Sequence, residues 1–97
     1  MSRMQIILRA KREQILQIAA RFGIQRVRVF GSVARGTDDE QSDVDFLVEL
    51  APDRSLLDLG GFLYEMRSLL GTDVDVVTEK GIRKRIRERV LAEAVDL

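Results

Sequence analysis

The chain has no cysteine, no histidine and no tryptophan. Without cysteine it can form neither a disulfide nor a thiolate metal site. Without histidine it has no Ser-His-Asp constellation, no imidazole general base and a poor donor set for zinc. Any metal ion must therefore rely on oxygen ligands, which favours magnesium or manganese. One proline and seven glycines in 97 residues leave few breaks, so mostly regular structure with short connections is expected. No run reaches the roughly 20 apolar residues of a membrane span, and no signal-like apolar block stands at the start. The expectation is a cytoplasmic chain with no membrane partner.

What is present is 45% hydrophobic and 33% charged, the balance of an ordinary globular protein. The length suits one domain over residues 1–97. The net charge is zero, so bulk electrostatics point to neither nucleic acid nor membrane. The charges are nonetheless grouped. Residues 1–28 carry seven bases and one acid, residues 38–49 six acids and no base, and residues 80–89 six bases and one acid. This is either a cation-binding centre between basic flanks, or two basic helices with solvated faces.

Apolar residues Leu8, Ile15, Ile18, Ala19 and Phe22 recur at helical intervals, predicting one helix from Met4 to Phe22 that Gly23 ends. Gln25–Phe30 alternates as a strand. Ser32 is placed to cap a short helix closed by Gly36. Asp43–Leu50 is a second strand, with Val44, Phe46, Val48 and Leu50 on one face and Asp43, Asp45, Leu47 and Glu49 on the other. Ser55 can cap a helix to Leu70 with a stripe of Leu56, Leu59, Phe62, Leu63, Met66 and Leu70. Asp73–Thr78 is a third strand, and Ile82, Ile86, Val90 and Ala94 line a last helix from Ile82 to Val95. The expected class is α/β or α+β: a small mixed sheet of three to four strands flanked by helices.

Two aspartates at i and i+2 on a strand share a face, about 6.5–7 Å apart at Cα. Asp43 and Asp45 could therefore converge on one ion, or on two ions about 3.5–4 Å apart. If the third strand lies beside the second in register, Asp75 joins them. Three carboxylates on one sheet face repel unless a cation neutralises them. The Gly31-Ser32 turn runs from a strand end into a helix, where backbone N–H groups and the helix dipole favour an anion such as phosphate. Arg35 could reach the same phosphates or the acidic loop. Each feature alone is weak, but their combination at this spacing points to transfer chemistry on a nucleoside triphosphate.

The run Gly31-Ser32-Val33-Ala34-Arg35-Gly36 followed by Ser42-Asp43-Val44-Asp45 resembles the polymerase-beta-like nucleotidyltransferases. Within them it is similar to the minimal nucleotidyltransferases that act as antitoxins beside HEPN-domain toxins. The resemblance spans nearly the whole chain. It implies that Gly31 and Ser32 hold the triphosphate of ATP and that Asp43 and Asp45 bind magnesium. Asp75 would be the third carboxylate, binding metal and deprotonating the acceptor, with Asp73 the runner-up. It also implies a hetero-oligomer with a HEPN-type RNase toxin whose tyrosine hydroxyl receives AMP.

Two other readings remain open. One is an antitoxin that masks its toxin by binding alone, against which the three facing acids count. The other is an antibiotic-modifying small-molecule nucleotidyltransferase, whose relatives carry a further helical domain. Arg83, Lys84, Arg85, Arg87 and Arg89 form either a docking surface or a solvated helix face. No aromatic residue interleaves them, which weighs against nucleic acid.

Overall fold

Val27 and Val29 in one strand, and Val44, Phe46 and Val48 in the next, are all buried, so successive strands turn alternate residues to one core. The computed structural model describes residues 1–97. The elements are α1 (Arg3–Ala10), α2 (Arg12–Arg21), β1 (Ile24–Phe30), α3 (Gly31–Arg35) and β2 (Val44–Leu50). They continue with α4 (Leu56–Leu70), β3 (Val74–Thr78), a 3-10 turn at Glu79–Gly81, α5 (Lys84–Glu93) and β4 (Val95–Asp96). The strands lie in the order β3-β2-β1-β4. β1 is antiparallel to both β2 and β4, whereas β2 and β3 run parallel, joined by α4. The expected mixed sheet flanked by helices is what forms.

The two sheet faces carry unequal clusters. Fourteen buried residues from α1, α2, α3, α4 and the inward strand positions make the main core, where Phe46 and Phe62 meet edge to face at 5.9 Å. On the opposite pleat, Leu47 packs with Ile82 and Val90 in a smaller cluster beneath α5. That smaller cluster covers only part of its face. The acidic residues stand on the remainder.

The cap on α4 follows the sequence: Ser55 Oγ accepts the Leu57 N–H at 3.3 Å, and Asp58 accepts the Ser55 N–H at 3.0 Å. Ser55→Ala should cost about 1 kcal/mol. Thermal melting should then fall by about 4–8 °C. Two glycines inside α4 are unusual, and Gly61 has a packing reason. A Cβ there would overlap the Phe22 ring at the α2–α4 crossing.

Five expectations need correction. The first helix is two: Lys11, at φ −101° and ψ 9°, interrupts it without any glycine or proline. Tertiary contact sets this break, because the turned α1 brings Gln5 Nε2 to the Val33 carbonyl at 2.7 Å. Ser32 is not the cap of α3; the helix already begins at Gly31, with Phe30 in the cap position and no side-chain cap bond there. Leu56 is 81% exposed because the first turn of α4 runs past the core, and burial begins at Leu59. The last helix starts at Lys84, after a 3-10 turn. It also ends earlier, because Val95–Asp96 leaves it to pair with Arg28 and Val29 as β4.

Candidate active site

The parallel register of β2 and β3 pairs Val44 with Val74 and Asp45 with Asp75. Adjacent strands lie about 4.8 Å apart, so Asp45 and Asp75 stand side by side on one face. Asp43 is the residue before β2, two positions from Asp45 on the same pleat. Asp45 is half-buried, while Asp43 and Asp75 are exposed. Asp73 precedes β3, and its carbonyl accepts the Val44 N–H at 3.0 Å. Of the two candidates for third carboxylate, Asp75 is thus the direct cross-strand partner of Asp45.

Like charges opposite each other destabilise a sheet. The Asp45 carboxyl shows the cost: burial pushes its pKa up to about 6, helped by the negative charges of Asp75, Asp43 and Glu93, with Arg35 pulling the other way. The carboxylates form an open row; no three of them close into a ligating cluster. The donor set is oxygen only, its charges are of one sign, and one guanidinium offsets them. A divalent hard cation fits that chemistry.

The small-residue turn meets this row directly. Phe30, the last residue of β1, is paired with Asp45, so the chain enters Gly31 beside that carboxylate. Gly31 has φ +74°, and a Cβ there would collide with Asp45 Oδ2. Only glycine fits this approach. Ser32 and Arg35 follow within the one-turn helix α3. Before Asp43, the loop is pinned by Asp39, whose Oδ1 accepts the Gln41 N–H at 2.9 Å and the Ser42 hydroxyl at 3.2 Å. Ser42 Oγ in turn accepts the Asp39 N–H at 3.0 Å.

Arg35 does not reach the acidic loop; its side chain, about half exposed, turns to Glu93 instead. Its Nη1 donates to both oxygens of Glu93, at 3.0 and 3.2 Å. The Gly31 N–H donates to the same carboxylate at 2.8 Å. Sequence reading missed Glu93. One local signal was there: an acid as the last residue of a helix opposes the macrodipole, and such conflicts mark a residue placed for another reason. The basic run of α5 is also altered, since Arg87 folds back to the Ile82 carbonyl at 3.3 Å.

Residues 11–97 match the nucleotidyltransferase domain family. The chain belongs to that family. It is 42% identical to a Methanocaldococcus jannaschii protein provisionally named a protein adenylyltransferase, over 89% of this chain and 92% of that one. It is 38% identical to the protein adenylyltransferase MntA of Thermococcus cleftensis, over 81% of this chain and 80% of MntA. A solved structure provisionally described as a minimal nucleotidyltransferase superposes with TM-score 0.86 at 48% identity, covering 100% of this chain and 97% of that one. A toxin–antitoxin crystal structure with AMP-PNP shares the fold at TM-score 0.72 and 22% identity, covering 87% of this chain and 69% of that one. No helix of this nucleotidyltransferase is long and apolar enough to cross a membrane.

Proposed function

We propose that this nucleotidyltransferase moves AMP from ATP to a hydroxyl, a tyrosine by family resemblance, of a HEPN-type RNase toxin, and so acts as its antitoxin. The pairing of Asp45 with Asp75 beside the Gly31 backbone carries the reading, because it joins a cation-binding row to a phosphate-binding turn. Relatives named protein adenylyltransferase, and a toxin–antitoxin complex of the same fold, support the acceptor class.

In this reading Gly31, Ser32 and Arg35 hold the triphosphate, the last two by hydroxyl and guanidinium. Asp43, Asp45 and Asp75 would hold magnesium, two ions being the expected number. Magnesium, when bound, neutralises phosphate oxygens and acidifies the acceptor hydroxyl. Asp75 accepts the hydroxyl proton. The acceptor oxygen bonds to the α-phosphorus, the α–β anhydride bond breaks, and pyrophosphate departs. The work is positioning and charge neutralisation, with no covalent intermediate on the chain. A cytoplasmic reaction belongs to this reading, because ATP is its substrate.

Parallel incubations with α-labelled and γ-labelled ATP, magnesium and the toxin test this. Label should reach the toxin from the α position only, and Asp43→Asn and Asp75→Asn should each remove it. Label from the γ position would make the chain a kinase. No label from either, with a stable complex, would leave the masking antitoxin.

A further inference from the structure

Two donors of the proposed phosphate-binding turn, the Gly31 N–H and the Arg35 guanidinium, are already engaged by one carboxylate. Glu93 Oε1 takes the Gly31 N–H at 2.8 Å, and both Glu93 oxygens take Arg35 Nη1, at 3.0 and 3.2 Å. The side chain is only 20% exposed. A carboxylate receiving a backbone N–H and a guanidinium reproduces what a nucleotide phosphate would receive at the same groups. We infer that Glu93 is an internal stand-in for the triphosphate: it holds the Gly31 amide and Arg35 in position, and turns away when a nucleotide phosphate takes those donors. This inference rests on the nucleotide reading of the turn.

Three further observations support it. Glu93 ends α5, where the macrodipole disfavours an acid, so its partners at the turn account for its placement and the helix does not. It lies close enough to Asp45 to help push that carboxyl up, so its negative charge already stands beside the acidic row. The backbone beyond it is fixed. Val95 and Asp96 pair with Val29 and Arg28, Arg26 binds Asp96 at 2.8 and 2.9 Å, and the Leu97 N–H donates to the Val27 carbonyl at 3.1 Å. Release therefore needs a side-chain rotation, and α5 can stay where it is.

The cost of displacing Glu93 is carried in nucleotide affinity. Removing its charge should therefore tighten binding, the opposite of what loss of a mere structural contact does. Titration of the full chain with a non-hydrolysable ATP analogue and magnesium should show Glu93→Gln and Glu93→Ala binding about tenfold tighter than wild type. Glu93→Gln is nearly isosteric and keeps an oxygen for the Gly31 N–H, which guards against a folding defect in the alanine variant. In an Arg35→Ala background the gain should shrink, since half of the competition has gone. In turnover assays the change should appear as a lower KM for ATP. If wild type binds the analogue and neither Glu93 variant binds it more tightly, the stand-in is wrong and the nucleotide reading survives. If wild type and variants all fail to bind, the nucleotide reading is wrong and the stand-in falls with it.

Discussion

Asp45→Asn should abolish AMP transfer and, without metal, raise the melting temperature. Activity should drop by about a thousandfold or more, because Asp45 is proposed to hold the metal that fixes charge at the reacting phosphate. The stability gain comes from the same carboxylate. Its folded pKa, about 6, lies above its unfolded 3.8. The group therefore supports folding while protonated, below pH 3.8, and that contribution is lost as pH rises through about 6. Asparagine cannot ionise and does not lose it.

Two units at 1.36 kcal/mol each, discounted because Asp45 is half-exposed, leave about 1–2 kcal/mol above neutral pH. For a domain of this size that is a rise of roughly 4–8 °C per kcal/mol. Calorimetry in chelator should find the two proteins alike near pH 3, the gap opening between about pH 4 and 6, and the variant ahead at pH 7.5. Magnesium should reverse the order by stabilising wild type alone. Equal melting at pH 7.5 in chelator would mean that neither burial nor the neighbouring acids penalise the Asp45 charge.

Gly31→Ala should damage both folding and transfer. An L-residue at φ +74° costs about 1–2 kcal/mol, and the new Cβ must displace the Asp45 carboxylate. A displacement of about 1 Å at reacting groups is worth roughly a hundredfold in rate, so at least that loss is expected. Gly36→Ala is the matched control. It has φ +75°, but its Cβ would meet only the Gln5 side-chain amide, at 3.3 Å. Both variants should lose comparable stability in urea unfolding, and only Gly31→Ala should lose transfer beyond its loss of folded protein. Full activity in folded Gly31→Ala would separate the turn from the chemistry.

The strands and the row of acids were legible because alternation is local. Once Val44, Phe46 and Val48 face the core, Asp43 and Asp45 must face away, and the same holds for Val74 against Asp75. The glycine stops at Gly23 and Gly36 were equally local, each taking a positive φ just past a helix. What could not be read depends on distant partners. The break at Lys11 answers to Val33, and β4 is two residues long, too short to show a period. Glu93 meets Gly31 across 62 residues of sequence, in a helix whose visible signal was its basic run. Leu56 fits the apolar stripe of α4 by spacing alone, yet no element lies over that first turn to bury it.

Intact mass spectrometry of the toxin, after incubation with this chain, ATP and magnesium, is the most direct test of AMP transfer to a protein. The toxin should gain mass in whole AMP units. The gain should be absent when Asp45→Asn replaces the wild-type chain and should map to a tyrosine after digestion. An unmodified toxin that is nevertheless silenced in a stable complex would contradict transfer and leave binding alone as the antitoxin mechanism.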